Sequence, residues 1–136
     1  MVKITLSCLA LLVGCLAAAH LGAQPPPAPR ITEEYRGGPV TLRVGERLLL
    51  DLRNPASGGY RTLPPEFDVR VLKLVSERQV PREERHRGRM GDFGRLHFEL
   101  EAVALGETEV KVLIFRPWEK GKTPEPYLRF RVVVAP

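Results

Sequence analysis

From Ile31 to the end of the chain, apolar side chains return at every second position and not at helical spacing. A period of two places them on one face of an extended strand, which commits the chain to half-buried β-structure. Val40, Leu42 and Val44 alternate with Thr41 and Arg43, and after Gly45 come Leu48, Leu50 and Leu52. Val69, Val71 and Leu74 mark a further strand. Leu96, Phe98, Leu100 and Ala102 alternate with His97, Glu99 and Glu101. Val110, Val112 and Ile114 follow Gly106, and Leu128, Phe130, Val132 and Val134 are interleaved with Arg129 and Arg131. There is no internal repeat, and no stretch beyond the N-terminal segment reads as a long amphipathic helix. Short strands with one apolar face and Gly or Pro between them predict an all-β chain folded as a two-sheet antiparallel sandwich of roughly a hundred residues.

The 136 residues hold one domain of ordinary size and an export segment. Cys8 and Cys15 are the two cysteines and both lie in the N-terminal apolar segment. The folded part therefore has no disulfide, no cysteine nucleophile and no cysteine-based metal site. Met1, Val2 and Lys3 form a short positive region, and Ile4 to Gly14 are apolar but too few to span a bilayer, so residues 1–23 read as a secretory signal and leader. Within it, Leu12-Val13-Gly14-Cys15 resembles a bacterial lipobox, which makes Cys15 a candidate lipidation site. The alternative is ordinary cleavage after Ala17-Ala18-Ala19. The expected location is the bacterial periplasm or the outer membrane as a lipoprotein, or else secretion, with membrane contact only through the N-terminal lipid. Residues 24–37, opening with the Pro-rich stretch Gln24 to Pro29, read as a tether, and 38–136 as the domain. The formal charge of +5 is modestly basic and its signs are mixed along the chain, without the one-sided basic stripe that nucleic-acid binding needs.

Three intervals between strands stand out: Asn54 to Tyr60, Pro81 to Gly94 and Arg116 to Pro126. In a sandwich, loops distant in sequence gather at one end. In Asn54-Pro55-Ala56-Ser57-Gly58-Gly59-Tyr60, Pro55 fixes its φ angle and the two glycines permit positive φ and close approach to another molecule. The same residues also make an ordinary tight turn. Arg116-Pro117-Trp118-Glu119 opens the third interval with the single tryptophan of the chain. Held beside a proline at a strand exit, Trp118 is either an exposed binding anchor, a role in which Trp and Arg are enriched, or a ring folded back on the sandwich edge.

These three segments, in this order, resemble the chagasin family of cysteine-protease inhibitors. Its members carry an Asn-Pro-Thr-Thr-Gly-Tyr-like loop, then Gly-x-Gly-Gly, then Arg-Pro-Trp. Here the first is Asn54 to Tyr60, with Ala56 and Ser57 in place of two threonines and one extra glycine; the last is Arg116, Pro117 and Trp118 without departure. The middle one is Gly91-Asp92-Phe93-Gly94, with Phe93 where a glycine is usual. The resemblance covers about residues 38 to 135. It implies an immunoglobulin-like sandwich, a monomer, whose three loops wedge reversibly and non-covalently into the cleft of papain-like cysteine proteases. Ala56 and Ser57 would sit near the catalytic thiolate, Gly91 and Gly94 along the cleft wall, and Trp118 against the opposite side, with Arg116 orienting its loop. Phe93 would fill an apolar subsite or be tucked under its own sandwich.

An enzyme is not expected. Beyond the leader the serines are Ser57 and Ser76, and the histidines of the chain are His20, His86 and His97. His97 falls on the face opposite Leu96 and Phe98, where it is expected to meet solvent. No cofactor or metal is implied, since no ligand cluster or P-loop occurs. The run Arg82, Arg85, His86, Arg87 and Arg89 reads as a solvated flank of the middle loop. The alternative function is a non-inhibitory immunoglobulin-like binding module of the cell envelope.

Overall fold

A computed structural model of the chain describes residues 22, 27–82 and 92–136. Cys15, His20, Arg85, His86, Arg87, Arg89 and Gly91 lie outside the described residues. The described part holds eight strands: β1 (Arg30–Ile31), β2 (Val40–Arg43), β3 (Arg47–Arg53), β4 (Arg61–Thr62), β5 (Leu72–Val80), β6 (Arg95–Ala102), β7 (Gly106–Phe115) and β8 (Glu125–Ala135). They form two sheets, β1-β3-β6-β5 and β2-β8-β7-β4.

The period-two runs close the sandwich. Leu48, Leu50 and Leu52 of β3 and Phe98 and Leu100 of β6 are almost fully buried; Val110, Val112 and Val132 of the other sheet face them with no more exposure. With no cysteine in the domain, this aliphatic layer supplies the cohesion that some small domains take from disulfides.

Both sheets are mixed, because the N-terminal strands add in parallel at their edges: β1 beside β3 and β2 beside β8, with the remaining pairings antiparallel. Parallel and antiparallel neighbours impose the same side-chain alternation, so the sequence pattern does not distinguish them. The packed unit also begins earlier than residue 38. Ile31 is 4% exposed, Tyr35 stands edge-on to Phe130 with ring centroids 5.9 Å apart, and Glu33 accepts a hydrogen bond from the Arg53 amide at 3.1 Å. Residues 30–37, taken from sequence as tether, are thus part of the fold.

Two strand expectations are corrected. Val44 lies in the turn after β2 and is half exposed, and Val69 lies in a turn with 77% exposure, so the fifth strand starts at Leu72. A bulge between Leu74 and Ser76 then shifts the phase of β5, leaving Glu77 and Gln79 opposite Phe98 and Leu96.

On the outer face of the first sheet, Asp51 is 5% exposed and gathers three partner residues. Arg95 donates through Nε to its carboxylate and through Nη2 to its carbonyl, Arg30 lies at 3.1 Å, and His97 Nε2 is 3.0 Å from Oδ1. Arg78 Nη2 stands 3.4 Å from His97 Nδ1, so the ring bridges Asp51 and Arg78. His97 is therefore a structural member of a buried polar cluster, with a side chain only 13% exposed, and not the solvent-facing residue expected.

Burial alone would raise the Asp51 pKa. The Arg95 hydrogen bond and charge, with the charges of His97 and Arg30, outweigh it and hold the carboxyl below its ordinary 3.8. A carboxyl depressed in the fold stabilises above its unfolded pKa, and that contribution is lost as pH falls through the folded value. Asp51→Asn should destabilise the domain by about 1 to 3 kcal/mol at pH 7, because the charged hydrogen bonds of a buried carboxylate to Arg95 and His97 are lost, while Arg95 keeps Glu33. Urea titrations should show the gap to the native chain closing as pH falls below about 3.8.

Candidate functional site

The connections β3 to β4, β5 to β6 and β7 to β8 emerge at one pole of the sandwich, which brings residues 54–60, the described ends 81–82 and 92–94 of the middle connection, and 116–124 together. The first folds as a single 3-10 turn, Pro55–Gly58. Asn54 caps it, its Oδ1 accepting from the Ala56 amide at 3.1 Å, and Pro55 occupies the first helical position, where its missing N–H costs nothing. The Gly59 amide donates to Ala56 O at 2.9 Å and closes the turn. Ser57 and Gly58 are exposed at its apex, whereas Ala56 is half-buried and lines an open groove of about 590 Å³ with Tyr60, Thr62, Glu77 and Gln79.

Arg116 joins the first loop to the third. Its Nε donates to Gly58 O at 2.9 Å, its guanidinium lies 4.2 Å from the centre of the Tyr60 ring, and Nη1 meets Glu119 Oε1 at 3.1 Å. One planar cation thereby fixes a backbone carbonyl, an aromatic face and a carboxylate at once, a geometry an ammonium would not reproduce. Lys122 and Arg116 together keep Glu119 ionised below its usual range.

Trp118 is 64% exposed, which decides its position: the ring stands out from the pole instead of folding onto the sandwich edge. It rests on Gly59, where an added Cβ would lie 2.1 Å from Trp118 Cη2. Gly59 also has φ +75°, a conformation L-residues rarely adopt. Of the two glycines of this loop, Gly59 is thus the seat of the tryptophan, while Gly58 lies within the 3-10 turn and does not take positive φ.

The described end of the middle loop is tied in by the backbone. The Asn54 amide donates to Gly94 O at 3.0 Å, and Asp92 Oδ1 accepts from the Gly94 amide at 3.0 Å. Gly94 has φ +83° and leaves no room for a Cβ, which would lie 2.2 Å from Val80 O. Phe93 is 55% exposed, so it points away from the core. Tyr60 as a stacking partner and Glu119 as a salt-bridge partner are roles that spacing alone did not single out.

Residues 41–134 match the sequence profile described as Chagasin family peptidase inhibitor I42. The chain belongs to the chagasin family of peptidase inhibitors. Amoebiasin-2 of Entamoeba histolytica is 27% identical to it over 104 residues, 76% of this chain and 83% of that protein. The crystal structure of the cysteine protease inhibitor EhICP2 from Entamoeba histolytica aligns with a TM-score of 0.63 at 24% identity, covering 79% of this chain and 96% of that one. The solution structure of amebosin aligns at 0.61 and 20% identity, over 80% and 99% of the two chains. These likenesses establish the chagasin-type immunoglobulin-like sandwich, and family membership makes the chain an inhibitor of peptidases and not an enzyme.

Gly59→Ala should cost about 1 to 2 kcal/mol through its left-handed backbone alone and should also push the Trp118 ring off its seat. Because Trp118 is the sole tryptophan, its emission reports the displacement directly. A red shift with a lowered melting temperature is expected, whereas Gly121→Ala, which is equally left-handed but meets no atom within 4 Å, should lower stability and leave the emission unchanged.

Proposed function

We propose that this chagasin-family chain is an exported, reversible and non-covalent inhibitor of papain-like cysteine proteases, acting as a monomer whose loop pole fills the protease cleft. The observation that carries this reading is the Arg116 clasp, which presents Ser57 and Trp118 outward, beside a middle loop tied at Gly94 that exposes Phe93. EhICP2 is itself named a cysteine protease inhibitor, which supports the thiol class of target.

The 3-10 apex at Ser57 and Gly58 approaches the catalytic cysteine, with the Gly58 carbonyl turned back to Arg116, and blocks the cleft without reacting. The domain has no thiol and no electrophile of its own, so affinity comes from shape, backbone hydrogen bonds and buried area. Phe93 and Trp118, on loops either side of the apex, serve as the two aromatic anchors. The middle loop, tied down at the buried Gly94, lies along the cleft wall. A pole fixed before binding loses little conformational entropy when it docks.

Cys15, on this reading, carries a lipid and becomes the mature N-terminus, which places the inhibitor in the periplasm at a membrane. The chain expressed with its leader in a bacterium should partition into detergent, and Cys15→Ser should transfer it to the aqueous phase. Recovery of the native chain in the aqueous phase, starting after Ala19, would remove the anchor and leave the inhibitor intact.

For the pole, three measurements are decisive. Trp118→Ala should weaken protease binding by about 2 kcal/mol or more with an unchanged melting temperature. Ser57→Arg, at an exposed apex, should abolish inhibition by clash while the domain melts as before. A protease with its catalytic cysteine changed to alanine should still bind within about tenfold, or 1.4 kcal/mol, of the active enzyme. A covalent adduct seen by mass spectrometry, or loss of binding to the alanine protease, would refute occlusion.

A further inference from the structure

Among the described residues, six large apolar side chains are exposed, and they divide between the two poles of the sandwich. Phe93 and Trp118 stand at the loop pole. Val44, Val69, Val103 and Leu105, between 40% and 77% exposed, stand on the turns β2–β3, β4–β5 and β6–β7 at the opposite pole. Those turns form one surface: Gly45 N donates to Ala102 O at 2.8 Å, Val103 N donates to Val71 O at 2.9 Å, and a Cβ on Gly106 would touch Val71 at 3.1 Å. The inhibitory reading uses none of them. Four aliphatic side chains turned to water on adjoining turns constitute a patch that calls for a partner.

The course of the chain identifies that partner. β1 runs parallel to β3, and Leu49 N donates to Pro29 O at 2.9 Å, so the chain enters the fold at the start of β3, which is this same pole. Upstream of Pro29 lie the Pro-rich stretch, Cys15 and the apolar segment Ile4 to Gly14. From Cys15 to Pro29 the backbone reaches at most about 50 Å even fully extended, so anything held at Cys15 stays within that distance of the patch. Charged neighbours pair with opposite signs: Arg70 with Asp68 at 2.9 Å, Arg47 with Glu99 at 2.7 Å and Arg131 with Glu107 at 2.5 Å. A balanced rim around aliphatic tips suits shallow insertion at a lipid–water interface and not attraction to anionic headgroups.

We propose that the pole bearing Val44, Val69, Val103 and Leu105 is a lipid-facing surface, seated on the bilayer to which the N-terminal segment leads, with the protease-binding pole directed away from it. This rests on reading residues 1–15 as membrane-directed. β8 alone, 11 residues long, spans about 35 Å at strand rise, so seating on this pole holds Trp118 clear of the headgroups.

The test uses the full chain made with its own leader, reconstituted into vesicles of brominated phosphatidylcholine, which quench tryptophan only at bilayer depth. Trp118 should keep its emission. Val69→Trp combined with Trp118→Phe should lose most of it, and should recover it when Leu105→Asp and Val44→Asp are added. Raising the salt concentration should change none of this. If the Val69→Trp, Trp118→Phe variant is quenched no more than the native chain while the chain still sediments with vesicles and Cys15→Ser does not, the anchor stands and the lipid-facing pole is refuted. If Cys15→Ser sediments equally and quenching at position 69 persists, the anchor reading falls and the pole stands. Failure of every form to bind vesicles overturns both. A dimer in analytical ultracentrifugation that Leu105→Asp dissociates would show a second copy covering the patch, and would overturn the proposal too.

Discussion

Arg116 directs its guanidinium at three groups from two loops: the Gly58 carbonyl, the face of Tyr60 and the Glu119 carboxylate. Without it the first loop would be a short 3-10 turn held by Asn54 and little else, since no residue of that turn is buried. Trp118 depends on the same arrangement at one remove. Its ring sits on Gly59, and Gly59 holds its position because the turn before it is fastened to the loop that carries the ring. The exposed tryptophan is thus presented by a closed circuit of contacts, and the side chain that closes it is the arginine of the Arg-Pro-Trp segment.

Rigidity at that pole is inherited from the sheets. β3, β6 and β7, which bound these loops, are interior strands of their sheets, and the first and middle loops are cross-linked where the Asn54 amide meets Gly94 O. A disulfide-free domain can hold binding loops in register this way because the strands feeding them carry its best-buried residues, Leu52, Phe98 and Val112 among them. Asp51 adds a polar tie on the outer face, linking β3 to β6 through Arg95 and His97 and to the incoming chain through Arg30.

Period-two alternation made most of this architecture legible in the sequence, because β3, β6, β7 and β8 are long enough to show a phase. β1 and β4 have two residues each, too few for any period, and they are placed by tertiary pairing alone. Val69 imitates a strand residue because valine is a good strand former, yet it sits in a turn; the strand starts where Leu72 pairs with Ala102. In the site, the ordered motifs located the loops but not their mutual contacts, since a cation over a ring or an indole on a glycine is a relation between segments dozens of residues apart. His97 was misplaced for a related reason: alternation set its face correctly, but only the fold brings Asp51, Arg95 and Arg78 around it.

The two ends of the sandwich differ in how they carry exposed apolar surface. At the loop pole the aromatics are few, large and braced, and bracing matters because a protease cleft selects one geometry, so that any freedom left in Trp118 or Phe93 would be lost on docking and would subtract from affinity. At the far pole the exposed groups are aliphatic, small and set on separate turns, with no clasp among their side chains. A fluid interface makes no demand for fixed shape; it needs only apolar area and a rim whose charges can remain in water. On the proposed lipid-facing role of the far pole, the contrast in side-chain chemistry follows a contrast in partner, and a strand sandwich with its chain entry at one end and its binding loops at the other would separate the two requirements by the length of its own strands.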